Sequence, residues 1–103
     1  MLTAIKNLLG FGPKVDLAEL VANGAVIVDV RTKGEYQSGH IKGSINMPLQ
    51  TLSQNIGKLK KDKVIITCCA SGMRSASARG ILKSNGFTQV YNGGGWMSLE
   101  NKI

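Results

Sequence analysis

Two short, continuous apolar runs dominate the hydrophobic pattern of the chain: Ala25-Val26-Ile27-Val28-Asp29-Val30 and Val64-Ile65-Ile66-Thr67. Both are rich in β-branched residues and neither alternates with polar positions, which predicts strands covered on both faces. Between them the spacing turns helical. Asp16 predicts an N-cap for a helix through about Ala22, with Leu17, Leu20 and Val21 inward, Glu19 in the first turn and Asn23-Gly24 as its end. Lys33–Ser38 predicts a short polar helix, and Gly43–Met47 a short strand closed by Pro48. Leu49, Leu52, Ile56 and Leu59 predict one helix over 49–59, weakened by Gly57, and Lys61-Asp62-Lys63 a turn. After the second strand, Cys68 to Arg74 reads as a loop of small residues. Ser75–Ser84 reads as a helix, with Ala76, Ala78, Ile81 and Leu82 apolar, ended by Asn85-Gly86. A short strand within Phe87–Tyr91 follows. Gly93–Gly95 then reads as a loop where backbones pass closely, and 96–99 as a last helix with Trp96 partly buried.

Strands alternating with helices predict a single α/β domain with a mostly parallel central sheet and helices on both faces. In such sheets ligands bind beyond the carboxyl ends of the strands, where the Cys68–Arg74 segment falls. The breaker cluster Gly10-Phe11-Gly12-Pro13 separates a short N-terminal extension, 1–12, from a domain over 13–103. Within 1–9, Leu2, Ile5, Leu8 and Leu9 share one side of a helical projection, expected to pack on the domain rather than on a membrane. That opening stretch has no basic start, long apolar segment or small-residue cleavage site.

A length of 103 residues fits one domain, and 43% hydrophobic with 18% charged residues is the balance of a folded one. No apolar run is long enough to span a bilayer. Thirteen Lys and Arg against six Asp and Glu give a formal charge of +7, which favours anions. Nucleic acid is not the expected partner: aromatics are 5%, and neither zinc spacing nor a recognition-helix or RNA-binding signature occurs. Lys58, Lys60, Lys61 and Lys63 read as a solvated helix end and turn. The only two cysteines, Cys68 and Cys69, are neighbours, so they form no disulfide framework and point to a reduced, cytoplasmic setting.

The candidate chemistry lies in Cys69-Ala70-Ser71-Gly72-Met73-Arg74-Ser75. The thiolate is the reactive form of cysteine, and an ordinary thiol holds little of it at neutral pH. Three features would favour it here. The following helix offers unpaired N–H groups and the positive end of its dipole. A tight loop of small residues can turn N–H groups inward as an anion nest. Arg74 adds a fixed positive charge, close to the sulfur if the loop curls. Gly72 permits backbone angles that side chains forbid. A buried cysteine that merely packs at a strand end is the competing reading. The strand–loop–helix context favours an anion cradle centred on a sulfur.

The segment resembles the active-site loop of rhodanese-like domains, an apolar strand followed by Cys-x-x-Gly-x-Arg-Ser and a helix. Asp29-Val30-Arg31, Glu35-Tyr36 and Gly39-His40-Ile41-Lys42-Gly43-Ser44-Ile45-Asn46-Met47-Pro48 resemble the family's first signature. Gly86-Phe87 and Val90-Tyr91-Asn92-Gly93-Gly94-Gly95-Trp96 resemble its closing region, so the likeness runs from about Val15 to Trp96. The resemblance implies a thiosulfate sulfurtransferase without metal or organic cofactor. Cys69 would take the outer sulfur of thiosulfate or another small anionic donor as a persulfide, then pass it to cyanide, a thiol or a protein acceptor. N–H groups from Ala70, Ser71, Gly72, Met73 and Arg74 would stabilise the persulfide, and Arg74 would help hold the donor's oxyanion.

The resemblance also implies a role for one further residue. His40, the only histidine, is expected to be structural. Asp29 and Arg31 are expected to form a network supporting nearby loops. Counted from Cys68, however, Arg74 lies six residues on, the Cys-x5-Arg spacing of cysteine phosphatases and related arsenate reductases. Thr67 stands where those proteins carry a histidine, and Gly72 fits the register that starts at Cys69. Phosphatase or arsenate reductase chemistry at Cys68 is therefore the second expectation. A non-enzymatic persulfide carrier or docking module is the third.

Overall fold

The computed structural model describes residues 15–103, so the expected extension over 1–12 and its helix lie outside the described residues. The chain enters through α1 (Leu17–Ala22), where the Asp16 side chain accepts the Glu19 N–H at 3.1 Å as expected of an N-cap. Four strands follow: β1 (Val26–Asp29), β2 (Ile45–Asn46), β3 (Ile65–Cys69) and β4 (Val90–Gly95). All pair in parallel in the order β2-β1-β3-β4. The crossovers carry α2 (Lys33–Gln37), α3 (Leu52–Asn55) and α4 (Met73–Ser84), and α5 (Trp96–Lys102) closes the described chain.

Strand side chains alternate between faces, and here both faces are covered. On one side Val28, Val30, Ile65 and Cys69 pack with Leu52 of α3 and with Ala78 and Leu82 of α4. On the other, Ile27, Ile66 and Cys68 pack with Leu99 of α5, and Leu17, Leu20 and Val21 of α1 lie against them. The two adjacent cysteines therefore face opposite layers. This is the parallel sheet with helices on both faces that the two apolar runs predict. Among the described residues no helix is long and apolar enough to cross a membrane.

Three elements differ from expectation. The helix expected over 49–59 is instead a 3-10 turn at Leu49–Thr51, the short α3, and a second 3-10 turn at Ile56–Lys58. Neither Thr51 nor Asn55 supplies a side-chain cap to the turn it precedes, and Gly57 disfavours continuation. The loop expected from Cys68 to Arg74 shrinks to Ala70–Gly72, because β3 runs through Cys69 and α4 starts at Met73. The glycine run, expected as a loop beyond a strand ending at Tyr91, is itself strand. Thr67 pairs with Asn92 but Cys69 with Gly95, so β4 carries one extra residue, a bulge. The close passage expected of these glycines is present. A Cβ on Gly93 would stand 2.8 Å from the Thr67 carbonyl oxygen, and one on Gly95 2.9 Å from that of Ala70.

Candidate active site

The carboxyl ends of β3 and β4 and the start of α4 meet around Cys69. Gly72, at φ +109°, reverses the chain between strand and helix and offers no side chain to cap α4. The helix start is therefore left with unpaired N–H groups, and the Cys69 sulfur takes that place. Gly72 N–H donates to Cys69 Sγ at 2.9 Å. Burial pushes the Cys69 thiol up, but the Ser75 hydroxyl and the N–H groups of Ser75, Gly72 and Ser71 outweigh it and hold the thiol below its usual pKa.

Ser75 is the buried hub of this cradle. Its Oγ lies 3.5 Å from Cys69 Sγ, 2.6 Å from Asn92 Oδ1 and 3.0 Å from the Gly72 carbonyl oxygen. One hydroxyl proton serves one acceptor at a time. With a neutral thiol, the S–H donates to Ser75 Oγ and the hydroxyl proton goes to Asn92 or Gly72. With a thiolate, that proton turns to the sulfur, and Asn92 Oδ1 keeps the Gly94 N–H at 2.9 Å. Thr67 Oγ1 donates to the Ser75 carbonyl at 2.8 Å and ties the first turn of α4 to β3.

Cys68 is built differently. Its side chain lies in the apolar layer with Ile27, Ile41, Ile66 and Leu99. Burial and then the nearby Asp29 carboxylate push its thiol up to about 12. The register that counts from Cys68 to Arg74 thus starts at a sulfur on the far side of the sheet from α4.

Of the remaining loop positions, Ala70 and Ser71 are exposed, Gly72 is half-buried and Met73 is 80% exposed. Arg74 is not turned onto the sulfur. Its Nη1 and Nη2 donate to the two Glu35 carboxylate oxygens at 2.7 and 2.9 Å. That pairing, followed by the Thr32 N–H, holds the Glu35 carboxyl down at about 2. Glu35, Ser75 and Asn92 join the site although no role is expected of them from sequence; each stands within one of the motifs quoted above. One signal was present: Thr32-Lys33-Gly34-Glu35 is a capping-box pattern, and the structure forms that box at the start of α2.

The Asp29–Arg31 network is as expected. Arg31 Nη2 donates to Asp29 Oδ2 at 2.8 Å and to the Gly39 carbonyl at 2.6 Å, and the guanidinium lies 4.7 Å from the centre of the Trp96 ring. It joins the end of β1, the turn that follows α2, and Trp96 at the start of α5. His40 stacks on Tyr36 with ring centres 3.8 Å apart and places Nδ1 2.7 Å from the Tyr36 carbonyl oxygen, a loop-bracing position.

Comparison with known proteins adds an independent line. Residues 14–102 match the family described as Rhodanese-like domain. The chain is 38% identical over 80 residues to the uncharacterized protein YqhL of Bacillus subtilis, covering 77% of this chain and 64% of YqhL. It thus spans a little under two thirds of that relative's length. It is 34% identical over 87 residues to the thiosulfate sulfurtransferase GlpE of Pseudomonas savastanoi pv. phaseolicola, covering 84% and 82% of the two chains. The human single-domain sulfurtransferase TSTD1 superposes with a TM-score of 0.77 at 26% identity, covering 89% of this chain and 98% of that one.

Proposed function

The chain belongs to the rhodanese-like domain family, and from that premise we propose that it is a sulfurtransferase whose Cys69 carries a sulfane sulfur. The Cys69 thiolate attacks the outer sulfur of thiosulfate. A bond forms between Sγ and that sulfur, the donor S–S bond breaks, and sulfite leaves with the bond pair. The product is a Cys69 persulfide anion in the N–H cradle. Cyanide, a small thiol or a protein thiol then attacks the outer sulfur and regenerates the thiolate. Thiosulfate as donor follows the activity named for the GlpE relative. A reduced compartment such as the cytoplasm suits the free thiol that the cycle needs.

The observation that carries this reading is the 2.9 Å hydrogen bond from Gly72 N–H to Cys69 Sγ, with the Ser75 hydroxyl 3.5 Å from the same atom. Such donors stabilise both the attacking thiolate and the persulfide. Phosphatase or arsenate reductase chemistry at Cys68 has no comparable support, since that sulfur sits among apolar side chains with its thiol pushed up.

The test is mass spectrometry after thiosulfate treatment, with thiocyanate formation from thiosulfate and cyanide measured alongside. The parent should gain one sulfur on the Cys69 peptide. Cys69→Ser should lose both signals, and Cys68→Ser should keep both. Full turnover in Cys69→Ser would sink the assignment. Hydrolysis of an aryl phosphate that is lost only in Cys68→Ser would favour the second chemistry. Loading without turnover would leave a carrier.

A further inference from the structure

Glu35 is placed before any substrate arrives. The Thr32 N–H and hydroxyl each donate to Oε1 at 3.1 Å, which fixes the carboxylate at the first turn of α2. It meets Arg74 across 39 residues of sequence in a two-point ion pair, and both side chains are 36% exposed, at the rim of the site. Arg74 also lines a cavity of about 150 Å³ together with Val30, Pro48, Leu49, Thr32 and Gln50. Val30 belongs to the same buried layer as Cys69. The Arg74 guanidinium, in the first turn of α4, thus has its charge matched by a carboxylate on one side and the apolar side chains of Val30, Pro48 and Leu49 on another.

An incoming anion therefore meets a neutral pair rather than a free cation. A doubly charged donor is disfavoured by that arrangement, because its second charge gains nothing from a neutral pair while its removal from water costs more. A donor with one anionic oxygen replaced by a small alkyl group has less charge to satisfy and an apolar group to place on Val30, Pro48 and Leu49.

We propose that Glu35 is a specificity-determining residue of this site, pairing Arg74 so that singly charged sulfane donors with a small apolar group, the alkyl thiosulfonates, are preferred over dianionic thiosulfate. The proposal rests on the sulfur-transfer reading above and refines its donor. The Cys69 thiolate attacks the sulfane sulfur of R–SO2–S⁻. The Sγ–S bond forms, the donor S–S bond breaks, and R–SO2⁻ leaves with the bond pair. Two negative charges stand on each side, and no proton, oxidant or reductant is required.

Four full-length proteins form a charge ladder at the rim: Glu35→Gln, the parent, the Glu35→Gln/Arg74→Met double variant, and Arg74→Met. Glutamine still fits the capping box, so α2 keeps its start. Two ratios are read on each protein. One is kcat/KM for thiosulfate over that for methanethiosulfonate, with cyanide as acceptor. The other is the rate of Cys69 alkylation by iodoacetate over that by iodoacetamide, which needs no sulfur transfer. Both ratios should be highest in Glu35→Gln, by about fivefold over the parent at low salt, with the kinetic change mainly in KM. They should be near parental in the double variant and lowest in Arg74→Met. Ratios that ignore this order, or a parental kinetic ratio above one, overturn the proposal. If no protein accepts sulfur from either donor, the sulfur-transfer reading fails, and the alkylation ladder alone still supports or overturns the charge role of Glu35.

Discussion

Gly95→Ala tests whether the cradle around Cys69 is held in place by the backbone of β4. Gly95 has φ −68° and ψ 137°, a conformation that alanine adopts freely, so no backbone strain enters. The cost is contact alone. The new Cβ would stand 2.9 Å from the Ala70 carbonyl oxygen, with the Ala70 carbonyl carbon at 3.7 Å and Ser71 Cα at 3.9 Å. Ordinary contact begins at 3.4 Å, so the loop must yield by about 0.5 Å. Overpacking of this kind costs about 1–3 kcal/mol. Loss of glycine's freedom in the unfolded chain offsets about 0.4–1 kcal/mol of it. A net loss of about 1 kcal/mol lowers Tm by about 4–8 °C in a domain of this size. Ala70 leads directly into the Ser71 and Gly72 N–H groups, so the same displacement should slow Cys69 alkylation at mildly acidic pH by about tenfold. Gly80→Ala is the control: it lies within α4, exposed, with nothing within 4 Å of its added Cβ, and should gain about 0.5–1 kcal/mol. Thermal unfolding and alkylation kinetics on both variants provide the assay. A Gly95→Ala protein with parental Tm and parental Cys69 reactivity would refute the close-passage reasoning.

Ser75→Ala removes the hydroxyl that reaches Cys69 Sγ, so the pH midpoint of iodoacetamide alkylation should move upward; an unmoved profile would show that the backbone N–H groups act alone. Glu35 should shape acid stability. Its folded-state pKa of about 2 lies below the ordinary 4.5, so its contribution is complete above about pH 4.5 and is lost as pH falls through about 2. Glu35→Gln should flatten that stretch of the Tm–pH curve, and parallel curves for the two proteins would remove the ion pair from the account. Cys68→Ser places a hydroxyl among apolar side chains and should lower Tm while leaving the Cys69 alkylation profile unchanged; a shifted profile would show that the two layers of the sheet communicate.

Much of this arrangement is local and so was legible in the sequence. The two β-branched runs are the two central strands, and strand alternation alone separates the Cys68 and Cys69 side chains. The Asp16 cap and the Asp29–Arg31 pair also lie within three residues. The partners of the cradle are not local. Glu35 reaches Arg74 across 39 residues, and Asn92 reaches Ser75 across 17, distances over which no periodicity carries information. Glycine composition misled in a different way. Gly93–Gly95 has the makeup of a loop, yet the side-chain-free backbone is what lets β4 press against Thr67 and Ala70. The segment 49–59 has helical spacing, but spacing reports a buried face and not continuity, and uncapped turns divide it.

The sheet between the two cysteines also fixes how the chain tolerates oxidants. Many redox-sensing thiols are rescued by a nearby second thiol, which condenses with the sulfenic acid before further oxygen is added. Here the only other thiol is next in sequence but packed into the opposite layer, with its proton firmly held. An oxidised Cys69 has no partner within the chain and depends on a small thiol from solution to return it. Survival under peroxide should therefore follow the supply of external thiol, and a Cys68→Ala protein should be inactivated at the parental rate.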